Sequence, residues 1–138
     1  MMYKLLFTLL LPVISIFSPQ NQLDDRLIGT WIMVKCEKDS LPFEDDSIQN
    51  EFTYTYAKNG DYIFDIRLVR KMVQESKMSV VDFPRFKWQT FEGKIQVKPL
   101  FVSPNPASNA VHEVDYEFRK DTLVTSIRNF KRYFLKKK

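Results

Sequence analysis

From Gly29 onward, apolar and polar residues alternate with period two, and short turn signals interrupt the alternation at close intervals. Successive side chains of a strand point to opposite faces, so this pattern specifies strands with one buried face and one wet face. Lys58-Asn59-Gly60 marks a three-residue hairpin loop that pairs Tyr56 with Tyr62, Tyr54 with Phe64 and Phe52 with Ile66. Glu92-Gly93 pairs Thr90 with Ile95 and Trp88 with Val97, leaving Lys87, Gln89, Lys94, Gln96 and Lys98 on the other side. Lys120-Asp121 pairs Phe118 with Leu123, Tyr116 with Thr125 and Val114 with Ile127. Arg128-Asn129 pairs Ile127 with Phe130 and Thr125 with Arg132. In each hairpin the large apolar residues fall on one face, and a slip of one residue would turn them all outward.

Strands over residues 30–37, 51–57, 61–69 and 72–81 complete a set of about nine, joined mostly by short turns. The expected fold is all-β: an antiparallel up-and-down meander closed as a β-barrel of about eight to nine strands. Two longer connections, residues 38–50 and 100–110, interrupt it, and no long helical pattern is visible. By alternation Cys36 shares a face with Ile32 and Val34, opposite Trp31. Arg132 shares the inward side with Phe130 and Phe134, and an inward arginine needs a reason.

Ahead of the meander, Lys4 precedes an uncharged run from Leu5 to Phe17 that contains Pro12. About 13 apolar residues fit a secretory signal better than a membrane span, which needs about 20. The division expected is a signal peptide over residues 1–18 and a single barrel domain over residues 19–138. That implies an extracytoplasmic protein, periplasmic or secreted, with no integral span after signal removal. No cysteine follows the run to carry a lipid anchor. An uncleaved signal serving as an anchor is the alternative.

One cysteine, one histidine and three glycines exclude a disulfide framework, a Cys/His zinc site and a glycine-rich phosphate loop. The net charge of +4 falls short of a dedicated nucleic-acid binder, and the basic C-terminus, with Lys136, Lys137 and Lys138, reads as a solvated tail. Glu44, Asp45 and Asp46 lack the ligand spacing of a calcium loop, so no metal or cofactor is expected. His112 lies on the face of Val114 and Tyr116, and no serine stands in a nucleophile elbow. The expectation is a non-enzyme without catalytic residues, although carboxylate pairs remain open.

Gly29-Thr30-Trp31 opens the first strand, a Phe/Tyr strand runs from Phe52 into the Asn59-Gly60 turn, and the Trp88 strand leads to Gly93-Lys94. With Arg132 in the last strand, these stretches resemble the lipocalin superfamily, and in particular the small exported bacterial lipocalin-like domains. The resemblance implies that Gly29, Trp31 and Arg132 close one end of the barrel, with the arginine lying across the indole. In a nine-strand meander the odd strands all start at one end, so strand parity also brings Trp31 and Arg132 together and sets the 38–50 loop at the opposite end. There the superfamily keeps its cavity mouth.

The candidate barrel lining is Tyr54, Tyr56, Phe64, Trp88 and Tyr116, within a larger inward set that includes Phe52, Ile66 and Phe118. A small hydrophobic ligand inside the barrel is the candidate partner. Eight strands enclose an interior wide enough for either packed side chains or one small ligand, so the alternative is a filled-core protein-interaction or structural module. Such a module would use an outer apolar patch, for example Leu100, Phe101 and Val102.

Overall fold

A computed structural model describes residues 22–77, 83–100 and 111–138. The expected signal segment, residues 78–81 of an expected strand and most of the 100–110 connection lie outside the described residues. A 3₁₀ turn, Asp25–Leu27, precedes β1 (Gly29–Lys38), the two-residue β2 (Leu41–Pro42), α1 (Asp46–Gln49), β3 (Thr53–Tyr56), β4 (Asp61–Phe64) and α2 (Ile66–Ser76). Then follow β5 (Phe86–Phe91), β6 (Lys94–Pro99), β7 (His112–Arg119), β8 (Thr122–Ile127) and β9 (Phe130–Lys136). Each strand pairs antiparallel with the next along the sheet, and β9 returns to pair with β1. The result is an antiparallel, closed eight-stranded barrel, with β2 as an extra strand folded back on the end of β1.

The hairpin registers follow the alternation. Tyr56 faces Tyr62, Trp88 faces Val97, Phe118 faces Leu123 and Thr125 faces Arg132. Glu92 and Gly93 both have positive φ, the backbone a two-residue type I′ hairpin requires. One wall is thin. Between β4 and β5 only Asp61↔Lys87 and Tyr62↔Phe86 are in register. Beyond them the wall is completed by the rings of Phe64 and Phe86, 5.4 Å apart and edge to face, with Phe83 against both.

Two local readings are corrected. The expected strand over 61–69 forms only as far as Phe64, and residues 66–76, which cover its end and the described start of the expected 72–81 strand, form α2, so Phe52 has no strand partner in Ile66. Asp65 caps this helix, its carboxylate accepting from the Arg67 amide at 2.9 Å, and Lys77 ends it in the left-handed conformation. Val69 and Val73, one turn apart, supply its buried face. The β-branched side chains that suggested strands are accommodated because capping and the four-residue spacing act together. In β1 the register against β9 shifts between Met33 and Lys35, a bulge that turns Val34 out to 45% exposure. Cys36 therefore shares the buried core with Trp31 and Met33 rather than lying opposite Trp31.

The barrel has two unlike ends. At one, the segment before β1 forms a plug: Leu27 is fully buried, and its carbonyl accepts from the Trp31 indole at 2.8 Å. The Tyr116 hydroxyl donates to Asp24 at 2.7 Å, and the Arg26 guanidinium lies 4.5 Å from the centre of the Phe118 ring. Gln22 pairs with Thr90, whose amide donates to the Gln22 carbonyl at 2.7 Å. The 38–50 connection stands at the other end, as strand parity requires.

Arg132 does not close the plugged end. Because the barrel has eight strands, β9 begins where β1 finishes, and Arg132 faces Cys36 while Lys136 faces Trp31. The cation over the indole is Lys136, its ammonium 5.2 Å from the ring centre. Gly29 has φ +139°, and a Cβ there would meet the Lys136 stem at 3.1 Å, so a side chain at this position would disturb that contact.

Candidate functional site

At the open end the barrel interior holds a cavity of about 350 Å³. Its aliphatic walls are Met33, Ile95, Val97 and Val114, and its aromatic walls are Tyr54, Tyr56, Tyr62, Phe64 and Phe134. The polar lining is sparse: Asp45, Ser47, His112, Thr125 and Arg132. This combination of a mostly apolar concavity with a few convergent polar groups is the usual make-up of a small-molecule site.

The aromatic wall is one connected array. Tyr54 meets Phe134 and Phe64 edge to face, Phe64 meets Tyr62, Tyr62 meets Tyr56, and Tyr56 meets Trp88 below. Such edge contacts hold rings in fixed orientations, so the wall is shaped before anything enters. Burial pushes the phenols of Tyr54, Tyr56 and Tyr62 up from their ordinary value, and they stay neutral hydroxyls.

The rim is organised by α1. Asp45 caps this short helix by accepting from the Ser47 amide at 2.8 Å, and Ser47 shares a hydrogen bond of 2.6 Å with the Tyr54 hydroxyl. Lys71 of α2 reaches Asp46 of α1 at 2.6 Å, which brings both helices to this end. Of Glu44, Asp45 and Asp46, only Asp45 lines the cavity. Leu41 is exposed, while Phe43 packs edge to face on Phe130.

Among the described residues Arg132 is the cavity's one permanent cation. It lies opposite Thr125 across the β8–β9 pairing, with its guanidinium 5.1 Å from the centre of the Phe130 ring. Among the described residues it forms no salt bridge, in contrast to Arg26, Arg67, Arg85 and Arg119. The Arg132 side chain is half-buried, and no buried side-chain nitrogen or oxygen among the described residues is left without a partner.

Tyr54, Tyr56 and Phe64 of the sequence-predicted lining come together at this cavity. Trp88 and Tyr116 do not. Trp88 is buried beneath it with its indole N–H donated to the Ala57 carbonyl at 2.9 Å, and Tyr116 is committed to Asp24 at the plug. Gly29 and Trp31 belong to the plugged end, and Arg132 to the opposite one. Tyr62 was signalled by its pairing with Tyr56, and Phe134 by sharing a face with Arg132. Ser47 and Asp45 carried no period to read, because a short helix places them. Comparison with family models, with curated proteins and with solved structures finds no match for this chain.

Proposed function

We propose that this chain is an exported, lipocalin-like barrel that binds a small, largely apolar molecule without transforming it. The observation that carries this reading is the cavity of about 350 Å³ at the open end, walled by aromatic and aliphatic residues and reached past α1. Its size lies at the small end of ligand cavities, roughly 300–1,000 Å³, and favours a compact ligand over a long lipid. The interior below it is filled by Trp31, Trp88, Leu27 and Leu123, which leaves binding to the upper half alone. An unfilled upper half counts against the packed-core alternative. The Gly29-Thr30-Trp31 opening and the closed meander support the lipocalin-like assignment, with Lys136 in the place the resemblance gave to Arg132.

Native mass spectrometry of the protein purified gently from its source, before and after organic extraction, tests the reading. A discrete extra mass removed by extraction is the expected result. A bare protein mass together with a retained protein partner would overturn it in favour of an interaction module.

A further inference from the structure

Resting on that binding reading, we propose that the ligand is a small monocarboxylate, aromatic or short-chain, whose carboxylate pairs with Arg132. Its apolar body would run down the barrel against Phe134, Met33 and Ile95. The argument begins with charge. A half-buried guanidinium that faces a largely apolar cavity and has no carboxylate partner among the described residues can pair with an entering anion. Its planar fork matches a carboxylate, which accepts two parallel N–H bonds.

The number of charges selects the class. Among the described residues Arg132 is the only arginine or lysine of the lining, and Asp45 lines the same cavity, both acting on the Tyr54 phenol. A phosphate dianion would bring two negative charges to one guanidinium beside Asp45, whereas a monocarboxylate brings one. The hydroxyls of Tyr54, Ser47 and Thr125 supply further donors at this level of the cavity.

Depth sets the body of the ligand. Phe134 lies two residues further along β9 on the same face, about 7 Å deeper, and faces Met33 across the β1–β9 pairing. Below that level Trp31 is buried in the core and closes the path. A ring or a short chain fits between these limits, and a long acyl chain does not.

The test is calorimetric titration of the full chain with three isosteric probes: 3-phenylpropionate, 3-phenylpropanamide and 3-phenylpropylammonium. The carboxylate is expected to bind about tenfold or more tighter than the amide, the scale of a charge-assisted hydrogen bond. Arg132→Gln should remove the preference for carboxylate over amide, and Arg132→Lys should keep part of it. Should Arg132→Gln fail to fold, the comparison of carboxylate with amide on the unaltered chain still decides. Equal binding of carboxylate and amide, or tighter binding of the ammonium, overturns the proposal and leaves the cavity reading intact. No heat with any of the three overturns both.

Discussion

The two ends of this barrel use similar residues for opposite purposes. At the plugged end the polar groups that meet the barrel have partners: Asp24 is held by Arg26 and Tyr116, the Trp31 indole by Leu27, and Lys136 lies over the Trp31 ring. At the open end Arg132 and Asp45 share a cavity without forming a salt bridge, and Tyr54 shares its hydroxyl with a rim serine. Saturated polar groups add rigidity, whereas unsaturated ones facing a cavity remain available to a ligand. The difference sets a scaffold end apart from the end that holds the candidate site.

Substitutions at the two ends should separate accordingly in urea denaturation. Trp31→Ala removes the largest buried ring at the plug and should cost about 3–5 kcal/mol, the highest value of the series. Asp65→Ala removes the cap of α2 and the carboxylate that also accepts from the Thr53 amide at 3.1 Å. A loss of about 1–2 kcal/mol is expected, read as a lower midpoint with reduced helical signal in circular dichroism.

Asp24→Asn should cost about 1–2 kcal/mol near neutral pH. Hydrogen bonding to Arg26 is the main cause that holds this carboxyl down to about 2, from an ordinary 3.8, and Arg26 is itself largely exposed, which tempers the gain. A carboxyl depressed in the folded state stabilises fully above pH 3.8, and that contribution is lost as pH falls through about 2. Acid titration of stability should therefore show a shallower slope between those values in the variant. Asp65, also held low by Arg67, contributes a slope of the same sign at the other end and remains in place. The smallest effect belongs to Arg132→Gln, within about 0.5 kcal/mol, because no described salt bridge is broken. A cost above 2 kcal/mol there would assign Arg132 to the scaffold and erase the contrast between the ends.

Much of the barrel was legible because hairpin registers depend on local, period-two information. Tyr56 with Tyr62 and Trp88 with Val97 follow from turn residues and alternation alone. Errors arose where one extra residue or one strand changed a parity. The bulge at Val34 moved Cys36 to the inner face, and eight strands instead of nine carried Arg132 to the end away from Trp31. The α2 segment was misread because Ile66, Val69 and Val73 favour strands by shape, while the decisive signals were the Asp65 cap and the helical spacing. At the site, Tyr54, Tyr56 and Phe64 were visible as inward aromatics. Ser47 and Asp45 were not, since a four-residue helix in a connection leaves no period to detect.

The short β4–β5 pairing gives the barrel the mechanics of a split ring. Elsewhere the circumference is fixed by longer ladders of backbone hydrogen bonds, but beyond Tyr62 and Phe86 it is set by side chains packed edge to face. Phe64 belongs both to that joint and to the cavity wall. The bore of the barrel is thus written in a side chain that a single codon can resize, with the backbone ladders left whole.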